Sequence, residues 1–230
     1  MIMNNWQERH GQVIADFTKH LNNILNEKSN EFILKGGTAL MLCYGLDRFS
    51  EAIDLDKNKG SGNLFRFIDI YCKAFGYDYR IAKDTNTVKR AIIYYYGEYK
   101  PLKVEMSMRR KEIPTQEIAK VNDIITYTPD ALTTMKMAAY QGRDKIRDLY
   151  DLCYLYNNYK DQIAPQTLSL MQQGLSYKGL EQFDYLLHNQ TDELIDNEKL
   201  MNDFLSMYDH LGLLYDEDEK KIIDEMMKLK

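Results

Sequence analysis

The stretch Glu31-Phe32-Ile33-Leu34-Lys35-Gly36-Gly37-Thr38-Ala39-Leu40-Met41-Leu42, followed by Arg48-Phe49-Ser50-Glu51-Ala52-Ile53-Asp54-Leu55-Asp56, reads as strand, glycine turn, helix and second strand. The apolar run ends at two glycines, which turn without steric cost, and a helix restarts with Thr38 near its N-terminus. In Ala52–Asp56 apolar residues alternate with small or acidic ones, so period two puts Asp54 and Asp56 on one face and Ile53 and Leu55 on the other. A glycine turn entering a helix offers backbone N–H groups to a polyphosphate, and strand carboxylates hold divalent metals through oxygen. With two metals, such a site activates an attacking hydroxyl and stabilises departing pyrophosphate. Each feature alone has a plainer reading, a Thr-capped turn or an edge strand kept soluble by acids. Their combination at short range, with a third acid at Glu105, points to phosphoryl transfer.

Working outward, residues 6–27 space Trp6, Val13, Ile14, Phe17, Leu21, Ile24 and Leu25 along one helical face. Residues 57–62 are loop-like, a helix is predicted around 63–75, and Tyr77–Tyr99 is rich in strand formers. In Leu102–Met108, Leu102, Val104, Met106 and Met108 share one face, and Lys103, Glu105 and Ser107 the other. From Pro129 the periodicity is helical, with breaks expected near Lys160–Pro165, Gly174–Gly179 and Gly212. The expected fold class is therefore α+β: a mixed sheet with helices over residues 1–125, then a helical domain over 126–230. Asp216–Lys221 reads as the solvated first turn of a last helix, acids before bases.

Composition narrows the class without naming it. The 230 residues, 44 % hydrophobic and 28 % charged, exclude wholesale disorder. No apolar stretch is long enough to span a membrane and the N-terminus lacks the pattern of a signal peptide, so a cytoplasmic location is expected. Cys43, Cys72 and Cys153 form no CxxC pair and read as buried apolar residues, and the four histidines lack metal-ligand spacing. Thirty basic against thirty-five acidic side chains, −5 overall, mean that nucleic acid would have to be held by a local basic patch. The densest basic run is Arg109-Arg110-Lys111, and Tyr94-Tyr95-Tyr96 reads as sheet packing.

Residues 33–152 resemble the AbiEii-type nucleotidyltransferases, the toxin components of bacterial abortive-infection and type IV toxin–antitoxin systems. The family pattern is a Gly-Gly-Thr/Ser turn, then R-x-S-x-D-h-D-h, a later strand acid, a helix reading K-x-x-A-x-x-x-R, and a basic residue leading into D-x-x-D. Here these fall on Gly36-Gly37-Thr38, on Arg48 to Leu55, on Glu105, on Lys136 to Arg143 with Ala139 between, and on Arg147-Asp148 to Asp151. One position departs: Ala52 stands where the first metal aspartate belongs, with the second on Asp54. A substitution that silences a toxic protein, a naturally inactive member, or a variant site of Asp54, Asp56 and Glu105 would each account for it. A shift of two residues moves a carboxylate about 6.5–7 Å along the strand, which a metal–oxygen bond of roughly 2.0–2.6 Å does not tolerate without rearrangement.

The resemblance implies Mg²⁺ on Asp54, Asp56 and Glu105, and an NTP held by Gly36, Gly37, Thr38, Arg48, Ser50, Lys136 and Arg143. Asp54, Lys136 and Asp148 would be the catalytic residues, Lys136 on the triphosphate and Asp148 as base or charge partner of Lys136. The implied reaction moves a nucleoside monophosphate to an acceptor hydroxyl, favoured as the 3′ end of a tRNA, with a separate antitoxin as counterpart. Two alternatives stay open: a small-molecule acceptor, as in antibiotic-modifying enzymes, and a module that binds nucleotide or a partner without turnover.

Overall fold

The computed structural model describes residues 5–26, 30–97 and 100–214. The chain forms two compact units, Met1–Leu132 and Thr133–Lys230.

In the first unit, helix α1 (Asn5–Leu25) buries Val13, Ile14, Phe17 and Leu21 of the predicted stripe, whereas Ile24 near its C-terminal end is exposed. Strand β1 (Phe32–Lys35) runs into helix α2 (Gly36–Tyr44), and β2 (Ala52–Lys57) returns antiparallel to β1. Helix α3 (Leu64–Phe75) starts at Asn63, whose side chain accepts from the N–H groups of Phe65 and Arg66. Then follow β3 (Asp78–Asp84), β4 (Val88–Tyr94), β5 (Leu102–Ser107), β6 (Ile118–Val121) and β7 (Ile124–Tyr127). They build one mixed sheet in the order β3-β4-β5-β2-β1-β7-β6, with β2 parallel to β5 and β1 parallel to β7. Ile53, Leu55, Ala91, Ile93, Val104 and Met106 are buried on one face of this sheet, so the alternating acids of β2 and β5 lie on the other.

Two asparagines fasten α1 to the sheet. Asn22 Oδ1 accepts from the Ile125 N–H at 2.9 Å, and Asn26 pairs with both the N–H (2.9 Å) and the carbonyl (2.7 Å) of Phe32. The β6–β7 hairpin has no counterpart in the sequence-based expectation. Its strands have four residues each and its turn uses Asn122 (φ 50°) and Asp123 (φ 62°) rather than glycine. Of the three consecutive tyrosines only Tyr94 is in a strand, since β4 ends there. All three cysteines are free and buried, and burial pushes the Cys43 and Cys72 thiols up to about 12 and about 11, leaving them inert.

Helix α4 (Pro129–Arg143) carries the chain into the second unit, which adds α5 (Ile146–Tyr159), α6 (Pro165–Asn189) and α7 (Asn197–His210). The expected break at 174–179 is a single kink at Gly179 (φ 70°). Gly174 stays helical and small because a side chain there would collide with Met137 and Gln141 of α4. Phe183 and Phe204 stack at 3.9 Å to join α6 to α7. Among the described residues no helix is long and apolar enough to cross a membrane. The predicted turn at Asp216–Lys221 lies outside the described residues.

Candidate active site

The turn into α2 is held from behind. Gly36 sits at φ +73°, in the left-handed region where glycine is favoured, and a Cβ there would lie 3.5 Å from Asp54 Oδ2. A Cβ on Gly37 would come within 2.8 Å of Arg48 Nη2 and 2.9 Å of Ser50 Oγ. Arg48 and Ser50 are buried, and the Thr38 hydroxyl meets Ser50 Oγ at 2.9 Å and donates to the Ala52 carbonyl. Thr38 is therefore not the helix cap, a position that Lys35 takes without a side-chain bond. With its hydroxyl engaged inside the fold, Thr38 joins Arg48 and Ser50 in bracing the turn. Gly37→Ala is expected to lose about 1–3 kcal/mol of stability by pushing Arg48 and Ser50 aside, and thermal unfolding measures it.

The register sets Asp54 of β2 directly beside Glu105 of β5 and beside Lys35 of β1. Asp54 is 36 % exposed, with Lys103 Nζ 3.5 Å away. Glu105 is gripped by Arg90 of β4, Nε at 2.6 Å and Nη2 at 2.5 Å, a charge-assisted cross-strand pair. Asp56 is buried and accepts from Lys35 Nζ at 2.5 Å and from the Tyr127 hydroxyl at 2.8 Å. Burial and the adjoining Asp56 charge push the Tyr127 hydroxyl well above its ordinary range, so it stays a donor.

These side chains do not fit a metal centre as the chain stands. Ala52 has no oxygen to offer, Asp56 is committed to Lys35 and Tyr127, Glu105 is committed to Arg90, and Asp54 is left as the accessible carboxylate. Among the described residues no group of three His, Cys, Asp or Glu converges on a point where an ion could be held.

The second unit gathers the downstream motif. Lys136 of α4 reaches Asp151 at 2.5 Å and Asp148 at 3.2 Å, both on α5 and both at most 1 % exposed. Arg143 closes on Asp148 with Nε at 2.7 Å and Nη2 at 2.9 Å. The two cations that meet Asp148 are thus Lys136 and Arg143. Burial raises the Asp148 carboxyl, but the Arg143 hydrogen bonds and the Lys136 charge outweigh it and hold Asp148 below the usual range. Such a depressed carboxyl contributes stability in full above the unfolded value of about 4 and loses it as pH falls further. The acid limb of the unfolding curve is therefore expected to flatten below about pH 4 in Asp148→Asn, read by melting temperature against pH.

Next to this cluster the second unit holds a cavity of about 560 Å³, lined by Arg143, Lys145, Arg147, Asp148, Gln190 and Asp192 among others. Arg147 is fixed by Asp192, and Gln190 accepts from the Ile146 N–H at 3.0 Å. In the first unit, Arg110 of the basic run at 109–111 forms a two-point pair with Glu117, 2.7 and 2.9 Å, and lies over Tyr127. Lys35, Arg90 and Tyr127 are the site neighbours that sequence reasoning missed. Period-two pairing between β1 and β2 could have found Lys35, whereas Arg90 and Tyr127 needed the strand order.

The nucleotidyl transferase AbiEii toxin family of type IV toxin–antitoxin systems matches residues 21–222. The chain belongs to this family. As an AbiEii nucleotidyltransferase toxin it is implied to take an NTP and to have an antitoxin counterpart. Its fold is similar to that of JHP933 from Helicobacter pylori, at 25 % identity and TM-score 0.75, covering 98 % of this chain and 100 % of the other. A second H. pylori protein, provisionally named a nucleotidyltransferase, matches at 26 % identity and TM-score 0.74, covering 92 % and 97 %. MenT4, a nucleotidyltransferase toxin of Mycobacterium tuberculosis, shares the fold at 14 % identity and TM-score 0.53, covering 94 % and 88 %. No match is found among curated proteins.

Proposed function

We propose that this AbiEii chain has the machinery to move a nucleoside monophosphate from an NTP to a hydroxyl at an RNA 3′ end, tRNA favoured, and that Ala52 silences it in the present sequence. The observation that carries this reading is the Gly36–Gly37 turn set against the Asp54 carboxylate, with a methyl group two residues earlier on the same strand face. Backbone N–H groups there suit the phosphates of an NTP, while Arg48, Ser50 and Thr38 keep the turn rigid. On the second unit, Arg143 is the cation proposed to meet phosphate, its side chain being 60 % exposed even while paired. Lys136, shut between Asp148 and Asp151, is proposed to set the charge of that pair. Mg²⁺ is the metal proposed for the site once its carboxylates are restored.

The engagement of Asp56 by Lys35 and Tyr127 weighs against a shifted metal pair built from Asp54 and Asp56. The test offers each of four α-labelled NTPs with Mg²⁺ to total bacterial RNA and protein, using this chain and Ala52→Asp in parallel. Label in RNA from Ala52→Asp alone is the expected result. Label from both forms overturns silencing, and label in a small molecule or protein overturns the RNA acceptor.

A further inference from the structure

The face of the sheet opposite its core carries a line of cations that ends at Asp54. Across four strands the register aligns Arg80, Ile92, Lys103 and Ala52 in one row, and Lys83, Arg90, Glu105 and Asp54 in the next. Residues directly opposite share a face, so Arg80, Lys83, Arg90 and Lys103 all stand on the side that bears the Asp54 carboxylate. Arg80 and Lys83 are exposed, and Arg90 and Lys103 are close to 40 % exposed at their side chains. Tyr94, 42 % exposed, stands beyond the Arg80 row and accepts a hydrogen bond from Arg80 Nε at 2.9 Å.

Charge pairing separates these cations into two kinds. Arg90 is matched by Glu105, and Lys103 is loosely matched by Asp54. Arg80 and Lys83 have no carboxylate partner among the described residues. Cations on an edge strand keep it from pairing with other chains, which accounts for Arg80 and Lys83 alone but not for the row that continues inward through Lys103. In a chain of net charge −5, such a row is the local patch that a polyanion requires.

We propose that this face of β3, β4 and β5 holds the phosphodiester backbone of a single-stranded acceptor end and leads its terminal hydroxyl toward Asp54. Three strand spacings of about 4.8 Å separate β3 from β2, a run of roughly 14 Å, which fits about four stacked nucleotides at 3.4 Å each. Arg80 and Lys83 take the outermost phosphates, Lys103 the innermost, and the Tyr94 ring offers a stacking surface at the entrance. The inference rests on the RNA-acceptor reading above and adds to it a location, a polarity of approach and a preference for single strands.

The test is fluorescence anisotropy of a short labelled single-stranded RNA on the full chain, titrated at several salt concentrations. Arg80→Gln with Lys83→Gln is expected to weaken binding roughly tenfold and to lower the salt slope by about 1.4, two contacts at about 0.7 each. Arg80→Lys with Lys83→Arg should keep the slope, as should Lys120→Gln on β6, the opposite edge of the sheet. In an Ala52→Asp background the same double substitution should raise KM for RNA and leave KM for NTP unchanged. An unchanged slope in the double variant, or an equal loss from Lys120→Gln, overturns the surface while RNA transfer by Ala52→Asp upholds the acceptor reading. Duplex RNA binding as tightly as single strands overturns the single-strand preference. A chain that binds no RNA, with Ala52→Asp labelling none, overturns both.

Discussion

Ala52→Asp is expected to raise nucleotidyl transfer by on the order of 10²–10³-fold, the rate equivalent of the several kcal/mol a catalytic metal contributes. Position 52 is on the same face of β2 as Asp54, one pleat repeat away, with its backbone carbonyl already fixed by the Thr38 hydroxyl. A carboxylate there completes a pair beside the Gly36–Gly37 turn without moving Asp56 from Lys35 and Tyr127. The gain should depend on Mg²⁺ and vanish when Asp54→Asn is added, because both carboxylates are needed to hold the ion. Asp56→Asn, by contrast, should cost stability more than it alters any transfer that Ala52→Asp confers, since its oxygens face a lysine and a tyrosine. Label incorporation and urea unfolding, run on the same variants, separate the two effects.

Lys136→Ala is expected to be the most destabilising single change in the second unit, by about 3–5 kcal/mol. It removes the ammonium from between Asp148 and Asp151, which are 1 % and 0 % exposed at their side chains, and leaves their charge without its cation. Asp148 keeps the two hydrogen bonds of Arg143. Adding Asp151→Asn to Lys136→Ala should recover part of the stability, and a double-mutant cycle by urea unfolding gives the coupling. A loss below about 1 kcal/mol, or no recovery in the pair, would show that the buried charges are compensated elsewhere.

Strand, glycine turn and helix at residues 32–44 were legible because an apolar run, two glycines and a restarted helix occur within a dozen residues. The faces of β2 and β5 were legible from period two, and the pairing of Asp54 with Glu105 follows once those strands are adjacent. What escaped was decided by partners distant in sequence. Nothing around Arg90 says that Glu105 stands opposite, nor does anything near Asp56 name Tyr127, 71 residues away. The short hairpin β6–β7 escaped because four-residue strands around an Asn-Asp turn carry almost no periodic signal. The basic surface escaped for a related reason: residues 80, 83, 90 and 103 form no run, whereas the run that was visible, at 109–111, gives Arg110 to Glu117.

The joining of β7 to β1 also determines when this unit can finish folding. Strand β7 is tied to β1 by the Thr126 hydroxyl on the Leu34 carbonyl, 92 residues apart, and to α1 by the Ile125 N–H on Asn22, 103 residues apart. Loops of that size must close before any contact rewards them, so the entropy of the intervening chain makes this docking a late and slow event. Until it occurs Asp56 lacks Tyr127 and one flank of β1 stays unpaired. On the ribosome, therefore, the environment of the strand that carries Asp54 stays incomplete until β7 has been made and has docked.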